Sequence, residues 1–248
     1  MSWILLRGLT REARHWGGFV QLLAQHTGEE VFTIDLPGNG AFAALPSPAG
    51  VAAMTDFVRT QARSRTATSS HKLLAMSLGG MVATDWAQRY PAEVERLVLI
   101  NTSMRPYGSV WQRLRTGNWP HLALLAARWT DADYAERTIH RLTCSDSATR
   151  DADIAAWLRI RKSAPISAIN ALHQLTAAAT YACAPATPRC PAMVLSSAGD
   201  RLVNPVCSAR LATGWQVKHA QHPWAGHDLP HDDGAWVCNQ LMAWMDTR

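Results

Sequence analysis

Short apolar runs alternate along this chain with longer segments of helical period, and few architectures accommodate that alternation. The runs are Trp3 to Leu6, Val31 to Ile34, His71 to Met76, Arg96 to Ile100 and Ala192 to Ser196, with a weaker one at Gln216 to Lys218. Between them Trp16, Phe19, Val20 and Leu23 fall at i, i+3, i+4 and i+7, so residues 11–25 read as a helix with one buried stripe. Residues 50–63 carry a fainter helical period. Leu78, Met81, Val82 and Trp86 put one apolar stripe on a helix that Pro91 stops. The expected fold is α/β, a mostly parallel central sheet flanked by helices.

After Ile100 the alternation fails. Residues 122–129, 131–142, 152–161 and 166–179 have helical patterns, and no convincing strand interrupts them. This stretch is expected to form a helical cap at 104–187, inserted into a core made of 1–103 and 188–248. A helix near 206–212 and a last one that turns Val237, Leu241, Trp244 and Met245 inward complete the core.

Composition narrows the function classes. The start lacks a basic segment followed by a long apolar one, and no run approaches the roughly 18 apolar residues of a membrane span, so a cytoplasmic protein without a membrane span is expected. Cys144, Cys183, Cys190, Cys207 and Cys238 are odd in number and form no C-x-x-C pair, which argues against a disulfide framework and a zinc site. Residues 105–180 hold ten basic and six acidic side chains, so +4 of the net +5 lies in the cap stretch. That field suits an acidic partner, although a solvated helix surface is the commoner reason for one. No nucleic-acid partner is expected.

The chemistry centres on Ala75-Met76-Ser77-Leu78-Gly79-Gly80, between a buried strand and a helix. That is the setting of a nucleophile elbow, where a serine in a sharp turn needs small neighbours two residues away, here Ala75 and Gly79. The Leu78 amide then lies at a helix N-terminus, able to stabilise an oxyanion. A serine hydroxyl needs a base and an orienting acid. Asp200 follows the run 192–196 in a polar loop, and His227 lies in Trp224-Ala225-Gly226-His227-Asp228 before the last helix, both where strand ends of a parallel sheet converge. His222 and His231 compete by proximity, but one precedes Pro223 and the other opens the final helix, so both are expected as surface or capping groups. Arg7 suits either a substrate carboxylate or a structural ion pair. The tryptophans Trp111, Trp119, Trp129 and Trp157 are expected mostly to pack, with some lining an acyl pocket.

Ser77-Leu78-Gly79-Gly80-Met81-Val82-Ala83, Asp35-Leu36-Pro37-Gly38-Asn39-Gly40, Gly199-Asp200-Arg201-Leu202-Val203 and Gly226-His227 together resemble the α/β-hydrolase superfamily. Within it the chain is similar to small bacterial carboxylesterases, a group that includes pimeloyl-acyl-carrier-protein methyl ester esterases. The resemblance implies the triad order Ser77, Asp200, His227. It also implies a second oxyanion donor, the backbone N–H of Leu9, because Arg7-Gly8 stands where relatives carry His-Gly. Ala75 replaces the first glycine of the usual G-x-S-x-G. The chain begins on its first parallel strand, so the antiparallel edge strands of many relatives are not expected.

The expected activity is serine-dependent hydrolysis of a small-molecule ester with an apolar acyl group, without metal or organic cofactor. An acidic acyl carrier protein at the basic cap is the partner that the resemblance allows. A thioesterase, a lactonase or a carbon–carbon bond hydrolase uses the same machinery. A ligand receptor that retains the pocket is a rival of another class, separable by whether turnover is multiple and fast or single and slow. A dehalogenase would carry aspartate in place of Ser77.

Overall fold

The computed structural model describes residues 2–66 and 68–246. Six strands, β1 (Ser2–Leu6), β2 (Glu30–Thr33), β3 (His71–Met76), β4 (Val94–Ile100), β5 (Ala192–Ser197) and β6 (Lys218–His222), form one sheet in the order β2-β1-β3-β4-β5-β6, every neighbouring pair parallel. Parallel strands need crossovers, which helices supply on both faces. Alternate side chains divide accordingly. Ile4, Leu6, Leu73, Ala75, Leu97, Leu99 and Val194 pack against α2 (Val51–Arg65), α3 (Leu78–Arg89) and α9 (Val206–Trp215). Trp3, Leu5, Leu74, Met76, Val98, Ile100, Met193 and Leu195 pack against α1 (Phe19–Thr27) and α11 (Gly234–Asp246). Burial on both faces explains why β1, β3 and β5 read as continuous apolar runs.

Between β4 and β5 lie α4 (Val110–Arg113), α5 (Trp119–Ala127), α6 (Ala132–Thr143), α7 (Arg150–Ser163) and α8 (Ala168–Thr180), with no named strand among them. A short α10 (Leu229–Asp232) precedes α11. Among the described residues no helix is long and apolar enough to cross a membrane.

Two expected elements differ. The helix expected over 11–25 is broken: a 3-10 turn at Ala13–Trp16, capped by Glu12, ends at Gly17, whose φ of 53° and ψ of −132° cannot continue a helix, and α1 starts at Phe19. The strand expected at 216–218 lies instead at Lys218–His222, because α9 runs on to Trp215 and Gln216 takes the left-handed conformation that ends it. This edge strand is Lys-His-Ala-Gln-His and half exposed, so it carries no apolar signal.

Candidate active site

Ser77 sits between β3 and α3 with φ 53° and ψ −122°, a conformation that a non-glycine residue adopts only when its surroundings enforce it. They do so from three sides. The Ser77 amide donates to the Ile100 carbonyl at 3.0 Å, and the Thr102 hydroxyl donates to the Ser77 carbonyl at 2.8 Å. Gly79 lets α3 approach β1 so closely that a Cβ there would lie 2.5 Å from the carbonyl oxygens of Leu6 and Arg7. Gly8 in turn passes beside the Ser77 side chain, where a Cβ would stand 3.0 Å from that of Ser77.

Asp200 follows β5. Its Oδ1 accepts from the amides of Leu202 and Val203, each at 2.8 Å, which turns Oδ2 toward the loop after β6. There His227 Nδ1–H donates to Asp200 Oδ2 at 2.7 Å, leaving Nε2 as the unprotonated nitrogen of the neutral ring. Both side chains are buried. Burial pulls the His227 pKa down, but the Asp200 charge and hydrogen bond, with the charge of Asp228, raise it above the ordinary histidine value.

Ser77 and His227 line one cleft that opens to solvent. Its wall is largely apolar: Leu9, Met76, Leu122, Leu125, Trp129, Ile139, Leu142 and Leu202. The backbone amides of Leu9 and Leu78 donate to no acceptor among the described residues. The structure therefore brings Ser77, His227 and Asp200 to one rim of the sheet, with Leu9 in the adjoining loop and Leu78 opening α3. Of the four tryptophans between β4 and β5, Trp129 alone is among the residues lining this cleft. Trp111 and Trp119 stack on each other at the surface, and Trp157 packs on His15, His140 and His231.

Neither of the two competing histidines lies at the surface, and His222 takes the capping role. His222 is buried; its Nδ1 accepts from the Ala225 amide at 2.9 Å and its Nε2–H donates to Asp233 at 3.2 Å, so it shapes the turn that carries His227. His231 is half-buried, and its Nε2 pairs with Asp153 at 3.1 Å.

Sequence reasoning missed several supports. Arg7 forms a two-pronged ion pair with Asp228, Nη1 to Oδ1 at 2.9 Å and Nη2 to Oδ2 at 2.5 Å, with its guanidinium 4.7 Å from the Trp16 ring centre. Of its two expected roles it takes the structural one. Burial pushes the Asp228 carboxyl up, but the charge and hydrogen bonds of Arg7 outweigh it and hold the pKa below the ordinary value. Beside it, Arg11 pairs with Glu136 of α6 at 2.6 Å, and Glu136 also receives Arg161 of α7 at 3.2 Å. The adjacency of Asp228 to His227 in the chain was the one available signal. Nothing in the sequence pairs it with residue 7.

A family model described as "Serine aminopeptidase, S33" matches residues 3–232. Over 113 residues, 43% of this chain, the sequence is 33% identical to the pimeloyl-[acyl-carrier protein] methyl ester esterase of Chromobacterium violaceum; the alignment spans 37% of that relative's length. Among solved structures, a thermophilic esterase from Thermogutta terrifontis superimposes with a TM-score of 0.77 at 21% identity, covering 99% of this chain and 89% of that one. The enol-lactonase of Burkholderia xenovorans LB400 gives 0.78 at 17% identity, covering 98% and 90%. At such identities the two structures establish a shared fold.

Proposed function

Because the chain belongs to the serine aminopeptidase S33 family of α/β hydrolases, we propose that it cleaves carboxylic esters through an acyl-enzyme formed on Ser77. The observation that carries this reading is the 2.7 Å bond from His227 to Asp200 beside the apolar cleft that Ser77 shares with His227. In the proposed reaction His227 Nε2 takes the Ser77 proton as Oγ attacks the ester carbonyl. Asp200 holds the ring in the tautomer that makes this possible and stabilises the imidazolium that forms. The free amides of Leu9 and Leu78 receive the oxyanion. His227 then returns the proton to the departing alcohol, and water repeats the sequence on the acyl group. No metal or organic cofactor enters these steps.

The apolar wall favours an apolar acyl group. Residues 104–187 act in this reading as a cap over a core of 1–103 and 188–248, working in the cytoplasm. The positive charge of the cap supports docking of an acidic acyl carrier protein, and the partial similarity to an esterase of that substrate class points the same way.

The test is Ser77→Ala. Turnover of p-nitrophenyl butyrate should fall by more than about 10³-fold, and labelling by a fluorophosphonate should vanish, with the circular dichroism unchanged. Undiminished labelling overturns the proposal. A panel of methyl esters, thioesters and lactones, free and carrier-linked, then ranks the leaving groups.

A further inference from the structure

His140, Cys144 and His231 each offer a ligand atom, and the three atoms lie within 4.8 Å of one another. His140 and Cys144 are four apart at the C-terminal end of α6, a spacing that puts two side chains on one helix face. His231 comes from α10. Three points with that mutual limit have a common centre no more than about 2.8 Å from each, so a contraction of about 0.5 Å for sulfur and about 0.7 Å for nitrogen reaches zinc bond lengths.

A fourth group supports the same reading. Asp153 Oδ2 lies 3.4 Å from His140 Nε2 and 3.1 Å from His231 Nε2. A carboxylate bonded to both imidazoles orients the rings, as carboxylates beside histidine ligands do in metal sites. The Trp157 ring holds both imidazoles, with centroids 5.2 and 5.4 Å away, so the rings are already positioned. The charges of Asp228 and Asp232 act on the Cys144 thiol against that of Arg11, and Asp153 adds a third carboxylate opposite Arg150.

We infer that His140, Cys144 and His231, backed by Asp153, form a binding site for a thiophilic divalent cation of the zinc class. Binding replaces the thiol proton: the Cys144 sulfur keeps its electron pair, donates it to the ion, and one proton passes to solvent. The absence of a C-x-x-C pair hid this site in the sequence, because its third ligand joins only through the tertiary fold. The ion would tie α6 of the cap to the segment carrying His227, where the Asp228 amide already donates to the Thr143 carbonyl at 2.7 Å and Asp232 accepts from the amides of Ser145 and Gly226.

The experiment is titration of the reduced, chelator-treated protein with Co²⁺, a spectroscopic substitute for zinc. Wild type should develop tetrahedral visible bands and a thiolate-to-cobalt charge-transfer band, both discharged by one equivalent of Zn²⁺. Cys144→Ser should lose the charge-transfer band, His140→Gln and His231→Gln should each weaken binding at least tenfold, and Cys190→Ser should bind as wild type. If a variant fails to fold, calorimetry of the native protein decides instead: Zn²⁺ should bind at one equivalent and release one proton, read from the dependence of the heat on buffer ionisation enthalpy. No cobalt binding, cobalt spectra without a thiolate band, a band that survives in Cys144→Ser, or zinc binding without proton release overturns the inference.

Discussion

The side-chain amide of Asn101 donates to the carbonyl of His227 at 2.8 Å, so the residue after β4 holds the backbone of the histidine loop. The same nitrogen reaches the Gly226 carbonyl at 3.2 Å and the Ser197 hydroxyl at 2.9 Å, while Oδ1 accepts the Ser197 amide at 2.9 Å. Only an amide can donate to two carbonyls and accept from an N–H at one position. Asn101 takes φ 45° to do so, joining the ends of β4 and β5 to the histidine.

Replacing Asn101 with Asp keeps the shape and removes the donor, setting a carboxylate against two carbonyls. The expected result is a fall in kcat of about 10- to 100-fold with KM little changed, since a small displacement of the base acts on the chemical step. Steady-state kinetics on a p-nitrophenyl ester, with a melting curve, check it. An unchanged kcat removes Asn101 from a positioning role.

The proposed base must be neutral to act, so kcat/KM on an uncharged ester should rise with pH, with its midpoint above the ordinary histidine value of 6.5. In Asp200→Asn the causes that raise the His227 pKa are largely gone while burial and Arg7 still lower it, so the midpoint should move below 6.5. The same variant should lose about 10⁴-fold in kcat through the wrong tautomer. In stability the raised pKa works the other way: the contribution of protonated His227 is full below its ordinary pKa and disappears as pH rises through the folded one.

Arg7→Met leaves the buried Asp228 carboxylate without its main partner. Loss of one member of such a pair costs about 3–5 kcal/mol at neutral pH. Because Arg7 holds the Asp228 pKa down, the stability this pair contributes is present above the ordinary carboxylate pKa and is lost as pH falls through the folded value. The melting temperatures of variant and parent should therefore converge on acidification. A gap that stays constant as pH falls from 5 to 2, through the ordinary carboxylate value of 3.8, counts against the ion pair as its source.

Gly79→Ala places a methyl group 2.5 Å from two backbone carbonyl oxygens of the β1 end, neither of which can swing aside as a side chain would. The elbow and the Leu9 loop should be forced apart, lowering kcat by about 100-fold and reducing stability. Gly18→Ala is the control: its Cβ meets nothing within 4 Å and its φ is −76°, so stability should stay level or rise by up to about 1 kcal/mol. Equal behaviour of the two variants would show that close approach at Gly79 is not what shapes the elbow.

The strands were legible where burial on both faces left an unbroken apolar run, as at Trp3–Leu6 and His71–Met76, and lost where it did not, as at the polar edge strand Lys218–His222. The helical character of the region between β4 and β5 was equally legible, because its period of 3.6 is written locally. The fates of its tryptophans were not. Trp111, Trp129 and Trp157 have the same chemistry, yet one is at the surface, one lines the cleft and one supports two histidines.

What the sequence by itself determined is local: which segments extend, which coil, and where a serine can be forced into a tight turn, since these follow from neighbours a few residues apart. The pairing of Arg7 with Asp228, the hold of Asn101 on His227 and the meeting of His140 with His231 were decided by tertiary structure alone. Each joins residues separated by long stretches of chain, and such groups meet only where sheet order and loop packing bring them together, positions that no periodicity encodes.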